Sequence, residues 1–311
     1  MGKYILKRLI LTIPVVLGVT ILIFTIMYFT PGDPARIILG PNASFEQVEA
    51  KNKELGLDKS YGERLVLYMK NVFLHFDLGR SYVNNRSVSD DIKLYMPRTL
   101  RIAFWGEVLA LLFGIPLGVV AAINRNTWKD RLMMIISLLG VSMPSFWVAL
   151  LLVILFSVKL GWLPSSGLGG IKAYIMPCLA CALGGFASVS RQTRSSMLEV
   201  INSDYIVTAR TKGQTEMKVI YKHALRNALI PVVTVAGMSF GMTLGGAIII
   251  ETIFSIPGLG MYMVSAINAR DYPAIQGAVI IIAIAFSLIM LVVDIIYAFL
   301  DPRIRNQYSG K

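Results

Sequence analysis

Few residues of this chain could carry covalent chemistry. Cys178 and Cys181 form a C-x-x-C pair, a spacing that serves redox or metal sites in soluble proteins. Here the pair sits among Ala, Leu and Gly, where two small apolar side chains one helical turn apart are the plainer reading. His75 and His223 are the only histidines, so spacing assembles no metal cluster and general acid–base catalysis lacks its usual carrier. No G-x-x-x-x-G-K-[ST] loop occurs, so the chain lacks the usual P-loop for ATP. No nucleophile–base constellation stands out either. These residues predict a protein that is not an enzyme and binds no metal or cofactor itself. What does stand out is charge in apolar surroundings, at Glu107, Glu251 and Asp294, and a long patterned polar insert over 204–231.

The elements that hold these residues are membrane helices. Of 311 residues, 55% are hydrophobic and only 15% charged, more apolar surface than a soluble domain of this size can hide. Six apolar segments, 9–29, 102–123, 132–158, 174–190, 228–250 and 274–300, come near the ~20 residues that cross ~30 Å of hydrocarbon. The fourth is the shortest. The first is too long for a signal-peptide core and has no clear small-residue cleavage site, so it reads as a membrane helix.

Charge sets the orientation. One side collects Lys3, Lys7, Arg8, Arg125, Lys129, Arg131, seven Lys or Arg between Arg191 and Arg226, and Arg303, Arg305 and Lys311. The short loops opposite hold Lys159, Lys172 and Arg270. The positive-inside rule puts both termini and the 191–227 loop in the cytoplasm. The net charge of +12 is largely this topology signal, spread along membrane flanks, and does not point to nucleic acid.

Three regions follow: residues 1–30 with the first span, a polar stretch at 31–97 outside the membrane, and a five-helix part at 98–311. In the polar stretch, Ser44-Phe-Glu-Gln47 and Ser60-Tyr-Gly-Glu63 both read as capping boxes. Apolar residues at helical spacing follow each, Phe45, Val48 and Leu55, then Leu65, Tyr68, Met69 and Val72. Gly56 and Gly79 are the expected stops. This predicts a small helical insertion against the membrane mouth, suited to contact with a soluble partner. Within the spans, Gly237, Gly241 and Gly245 give the fifth helix a smooth face, and Gly114 and Gly118 do so on the second. Such faces serve close helix packing; on the fifth helix the sharper alternative is lining or gating a pathway. Pro14, Pro116 and Pro144 should bend the first three spans.

A charge at the bilayer centre costs about 2.5–3.5 kcal/mol, so Glu107 and Asp294 should face protein or water. Glu107 could meet the amino group of a peptide in the pathway or pair with an Arg on a neighbouring helix. Asp294, toward the cytoplasmic end, should pair with a loop Lys or Arg. Glu251, at the outer end of the fifth span, is placed to anchor the mouth or to touch a soluble partner. In the insert, Asp204 is expected to cap a helix over 205–212, with Gly213 turning the chain and a second helical run over 214–226. Ala209 and Gly213, four apart, would leave a bare face able to sit in a cleft of another protein.

The insert resembles the cytoplasmic docking loop of bacterial ABC-importer permeases, in the variant of the dipeptide, oligopeptide and nickel importers. The matching residues are Thr208-Ala209, Gly213 and His223-Ala-Leu-Arg-Asn-Ala-Leu-Ile-Pro231. Further blocks of the same family are Pro31-Gly-Asp-Pro-Ala35, Leu55-Gly-Leu-Asp58, Asp77-Leu-Gly79 with Ser81, and Gly161-Trp-Leu-Pro164. Glu251-x-x-Phe254 with Pro257-Gly-Leu-Gly260, Arg270-Asp-Tyr-Pro273 and Asp301-Pro-Arg-Ile-Arg305 complete the series. Val207 and Arg226 stand where the broader permease family has Glu and an early Pro, as in the peptide branch. The resemblance runs from the first span to the C-terminus. It implies an all-α integral membrane protein with the six-helix type I importer permease fold, in a prokaryotic cell membrane and in contact with lipid. It further implies a homologous second permease, two ATPases that use ATP and Mg, and an extracytoplasmic binding protein delivering a peptide, glutathione or a nickel complex. Asp204, Tyr205, Thr208, Ala209, Arg210, Lys212, Gly213 and Glu216 would meet the ATPase. An ion-coupled secondary carrier is the competing class; it calls for ion-binding polar residues at broken helices, which only Glu107 and Asp294 hint at.

Overall fold

A computed structural model describes residues 2–167 and 169–300. The described residues are mostly helical and contain no strand, only an isolated bridge between Arg80 and Ser87. Five helices are long and apolar enough to cross a membrane, and a bent pair makes a sixth candidate. The helices are, in order, α1 (Gly2–Phe29), α2 (Pro34–Leu39), α3 (Phe45–Glu54), α4 (Tyr61–Leu74), α5 (Val88–Ile123), α6 (Trp128–Ser142) and α7 (Ser145–Leu152). There follow α8 (Ile171–Ile201), α9 (Asp204–Thr211), the single turn α10 (Glu216–Lys218), α11 (Leu225–Gly246), α12 (Ile248–Ile253), α13 (Leu259–Asn268) and α14 (Tyr272–Leu300). Wide π turns extend α7 over Val153–Lys159 and join α10 to α11 over Val219–Ala224.

Two spans differ from the expectation. The third, expected as one helix over 132–158, is broken into α6 and α7 with a 99° bend. Pro144 is the cause: Met143 before it is extended, as a residue preceding proline prefers, and α7 starts afresh at Ser145. The fourth, expected to be short, is α8 with 31 residues. Its helix continues through the polar run from Arg191 to Ile201, which an apolar-length criterion does not see. Block 301–305 and the cationic residues Arg303, Arg305 and Lys311 lie outside the described residues.

The chain divides into two compact units. The first comprises Met1–Arg8, Leu100–Ile256 and Leu288–Lys311, with α8 at its centre, packed by α6, α7, α11 and α12. Lipid-facing helices gain little from the hydrophobic effect, so close backbone approach must hold them together. A Cβ on Gly114 would lie 2.8 Å from Val189 Cγ1, and one on Gly118 would lie 2.6 Å from the Ser190 carbonyl, so both glycines let α5 press on α8. Cys178 and Cys181 are both free thiols on α8, Cys178 being buried. At one end of this unit, Arg194 on α8 donates twice to Asp130 on α6, at 2.6 and 2.8 Å. The Asn126 amide also donates to Asp130, at 3.0 Å, fixing the α5–α6 turn.

The second unit comprises Leu9–Thr99 and Pro257–Ser287. Both capping boxes form: Ser44 with Gln47 at the start of α3, and Ser60 with Glu63 at the start of α4. Gly56 follows the end of α3 with φ +66°. Gly79 does not end α4, which stops at Leu74; the chain turns first at Phe76, φ +53°, and again at Gly79, φ +88°. Val72, Leu78, Val88, Ile92, Leu259, Tyr272 and Ile275 form one buried core. Polar ties complete it: Ser81 and the Tyr82 amide both donate to buried Asp271, and Arg98 donates to the Pro257 carbonyl at 2.8 Å.

Candidate functional site

The polar insert over 204–231 is built on a helix end. α8 stops at Ile201, and Ser203 is the residue preceding α9 in extended conformation. Asp204 is therefore inside the first turn of α9, where its charge suits the helix dipole, and is not the cap. After Lys212 the chain needs a left-handed residue, and Gly213 takes it at φ +74°. The expected run over 214–226 forms as α10, the π turn and the start of α11, which are continuous.

One apolar cluster holds this insert on the helix ends. Ile206 of α9 is fully buried with Met197 of α8, Val119 and Ala122 of α5, and Val219, Ala224 and Ala228 beyond. Ala209 packs on the same cluster, three residues from Ile206 and so on one helix face. The bare face expected from Ala209 and Gly213 together does not form, because Ala209 turns inward and Gly213 lies past the helix end. Polar contacts lock the hairpin: Arg210 with Glu216 at 2.9 Å, and Asn227 donating to the Tyr205 hydroxyl at 2.8 Å.

The outward face consists of Asp204, Tyr205, Thr208, Arg210, Lys212, Gly213 and Glu216, all exposed, together with three exposed apolar side chains. Val207 is 51% exposed, Met217 69% and Tyr221 50%. Three apolar side chains exposed on a polar insert are a signal in themselves, visible in sequence only once Ile206 is known to be the buried one.

The pathway candidates fall on a different surface of the same unit. Glu107 of α5 is buried near Ser239 of α11, and its Oε1 has no hydrogen-bond partner. A Cβ on Gly185 of α8 would lie 2.8 Å from Ser239 Oγ and 3.4 Å from Glu107 Oε2, so three helices converge there. Ser239 was not singled out in sequence, since a serine in an apolar span carries no pattern of its own. Gly185 and Ser239 also line an open cavity of about 490 Å³, with Cys181, Ser188, Met238 and Met242 around it. Gly237 lies against Val293 of α14, where a Cβ would come within 2.3 Å, so it serves packing. Gly241 is buried, and Gly245 faces open space.

Glu251 is fully buried in α12, which removes it from any surface a soluble partner could reach. Asp294 of α14 pairs with Arg8 at 3.1 Å; the cation comes from the first helix and not from a loop. No group of three or more His, Cys, Asp or Glu fit to hold a metal occurs among the described residues.

Among the described residues, the spans, the exposed insert at the helix ends and a mostly apolar cleft between helices give the architecture of a transport permease. Family models agree. The one described as "Binding-protein-dependent transport system inner membrane component" matches residues 114–306, and its N-terminal companion matches 1–103. The chain belongs to this family of multi-pass inner-membrane permeases of binding-protein-dependent ABC importers.

Among curated relatives, the glutathione transport system permease protein of Escherichia coli O6:H1 (strain CFT073) is 43% identical, over 98% of this chain and 99% of that one. The dipeptide transport system permease protein of Alkalihalophilus pseudofirmus is 42% identical, over 98% of this chain and 100% of that one. Among solved structures, the MetNI methionine ABC transporter matches with a TM-score of 0.57 at 21% identity, covering 68% of this chain and 96% of that chain. That likeness establishes the fold.

Proposed function

We propose that this chain is one half of the translocation pathway of an ATP-driven importer of di- and oligopeptides. The observation that carries the reading is similarity over the whole chain to peptide-class permeases, above 40% identity. It works with a homologous second permease, two cytoplasmic ATPases that use ATP and Mg, and an extracytoplasmic binding protein. Both termini and the docking insert face the cytoplasm, consistent with the Lys and Arg bias of the short loops. Six spans result when α6 and α7 count as one broken span.

Coupling runs through α9 and the π turn. Tyr205, Val207, Met217 and Tyr221 present apolar surface to the ATPase, while Ile206 and Ala209 tie the same helix to α5 and α8. A push on α9 is thereby transmitted to the helices that bound the cleft near Ser239. Glu107, buried next to Gly185 and Ser239 of that cleft, is the candidate partner for the substrate's amino group.

The test separates the outward face from the inward one. Val207→Asp and Met217→Asp leave the cluster around Ile206 untouched, so folding should be unchanged. ATPase co-purification and ATP-driven peptide uptake should both fall at least about tenfold, the effect of losing apolar contacts at an interface centre. Wild-type values of both in the double variant would sink the coupling assignment. Glutathione remains the second reading, favoured by the identity to the glutathione permease; ligand identification on the associated binding protein by mass spectrometry decides between them.

A further inference from the structure

The second unit contains a cavity that neither the docking insert nor the cleft near Ser239 uses. It measures about 630 Å³, within the range of small-molecule sites, and its wall includes Phe24, Tyr28, Arg64, Tyr68, Arg80 and Tyr82. A neighbouring cavity of about 370 Å³ shares Tyr28 and Arg64 with it. Three features of this wall are those of a binding site and not of a plain packing gap.

First, Arg64 is a charge without an anion. Its guanidinium stands 5.0 Å over the Tyr28 ring, and no carboxylate among the described residues lies within ion-pair distance of it. Three acids of the two walls are engaged elsewhere: Glu54 with Lys51 at 2.7 Å, Asp77 with the Gly79 amide at 2.8 Å, and Asp33 with Arg36 at 3.5 Å; Asp58, on the smaller cavity, forms no ion pair with Arg64. Second, the Tyr68 hydroxyl is buried with no hydrogen-bond partner, although a buried hydroxyl ordinarily finds one. Third, the wall is aromatic. Phe24 stacks on Tyr68 at 5.3 Å between centroids, and burial pushes the Tyr82 hydroxyl up to about 12, so it stays a neutral donor.

We infer that this cavity is a second small-molecule site, selective for a carboxylate carried on an apolar or aromatic body, as at the C-terminus of a short peptide. Arg64 takes the carboxylate, for which a guanidinium is the matching fork. The Tyr68 hydroxyl donates to the ligand and the rings enclose its side chain. The choice of peptide as ligand rests on the peptide-importer reading; the requirement for a carboxylate does not.

The experiment uses the full chain with its co-purifying partners in lipid nanodiscs, without binding protein or nucleotide. Radiolabelled alanylphenylalanine is the probe. Saturable binding at one site per chain is expected. It should weaken at least about tenfold for the C-terminally amidated dipeptide, the scale of a lost charge-assisted hydrogen bond. Arg64→Gln should weaken it equally, and Tyr68→Phe several-fold without loss of thermal stability. Absence of saturable binding to the wild type, or equal binding of the acid and the amide, overturns the site; the amide comparison holds even where Arg64→Gln fails to fold. ATP-driven uptake measured separately, with binding protein present, reports on the importer reading, so loss of one result does not imply loss of the other.

Discussion

At the scale of single residues, the membrane makes polar atoms expensive and small ones valuable. Glu107 is the clearest polar case: buried near Ser239, with one oxygen lacking a partner. Glu107→Gln keeps one side-chain oxygen and removes the charge, so the protein should be at least as stable to heat as the wild type. If the carboxylate meets the substrate's amine, the same variant should raise KM for peptide uptake about tenfold with little change in kcat, the pattern of lost binding. An unchanged KM returns Glu107 to a packing role. Gly118 is the clearest small case. Gly118→Leu must displace the Ser190 backbone and Thr193, an overpacking cost of about 1–3 kcal/mol, whereas Gly184→Ala meets nothing within 4 Å. Thermal unfolding in detergent should show a lowered midpoint for the first and no shift for the second.

At the scale of elements, the insertion helices show how local sequence sets a boundary. Ser60 accepts from the Glu63 amide while the Glu63 carboxylate accepts from the Ser60 amide and hydroxyl, which closes the first turn of α4. Those bonds hold the Glu63 carboxyl below the usual carboxylate range. A depressed folded-state value means that the carboxylate contributes stability above the unfolded carboxylate range, and loses it as pH falls through the lower, folded value. Ser60→Ala should cost about 1 kcal/mol at neutral pH. The difference from wild type should shrink in acid, read by helicity across a pH series; a difference constant with pH would contradict the capping account. The capping boxes were legible because both partners lie within four residues. The break at Pro144 was only half legible: proline marks the place, but a 99° turn depends on how α6 and α7 each pack on α8. The docking helix went the same way. Its limits and its glycine turn could be read, yet the assignment of Ala209 to an outer face failed, because periodicity does not say which face another helix covers.

At the scale of the whole molecule, the proposed function makes the chain a passive half of a driven machine. Reconstituted with its partners in proteoliposomes, it should take up peptide only with ATP inside the vesicle compartment that holds the ATPases, and an ion gradient alone should give none. Uptake driven by the gradient without ATP would restore the secondary-carrier class. What the sequence by itself determined is what depends on composition and short spacing. Excess apolar length placed the chain in the membrane, the Lys and Arg bias supports the proposed orientation, and the ordered motif blocks pointed to its family. Only the tertiary structure decided which residues meet. Arg8 with Asp294, Asp130 with Arg194, Glu107 with Ser239, and the Arg64 cavity all join residues far apart in the chain. The reason is physical: in lipid an apolar face gives no preference between protein and tail, so helix rotation is set by small-residue contacts and scattered polar pairs. Such pairs carry no period along the sequence, and they appear only when the helices have been brought together.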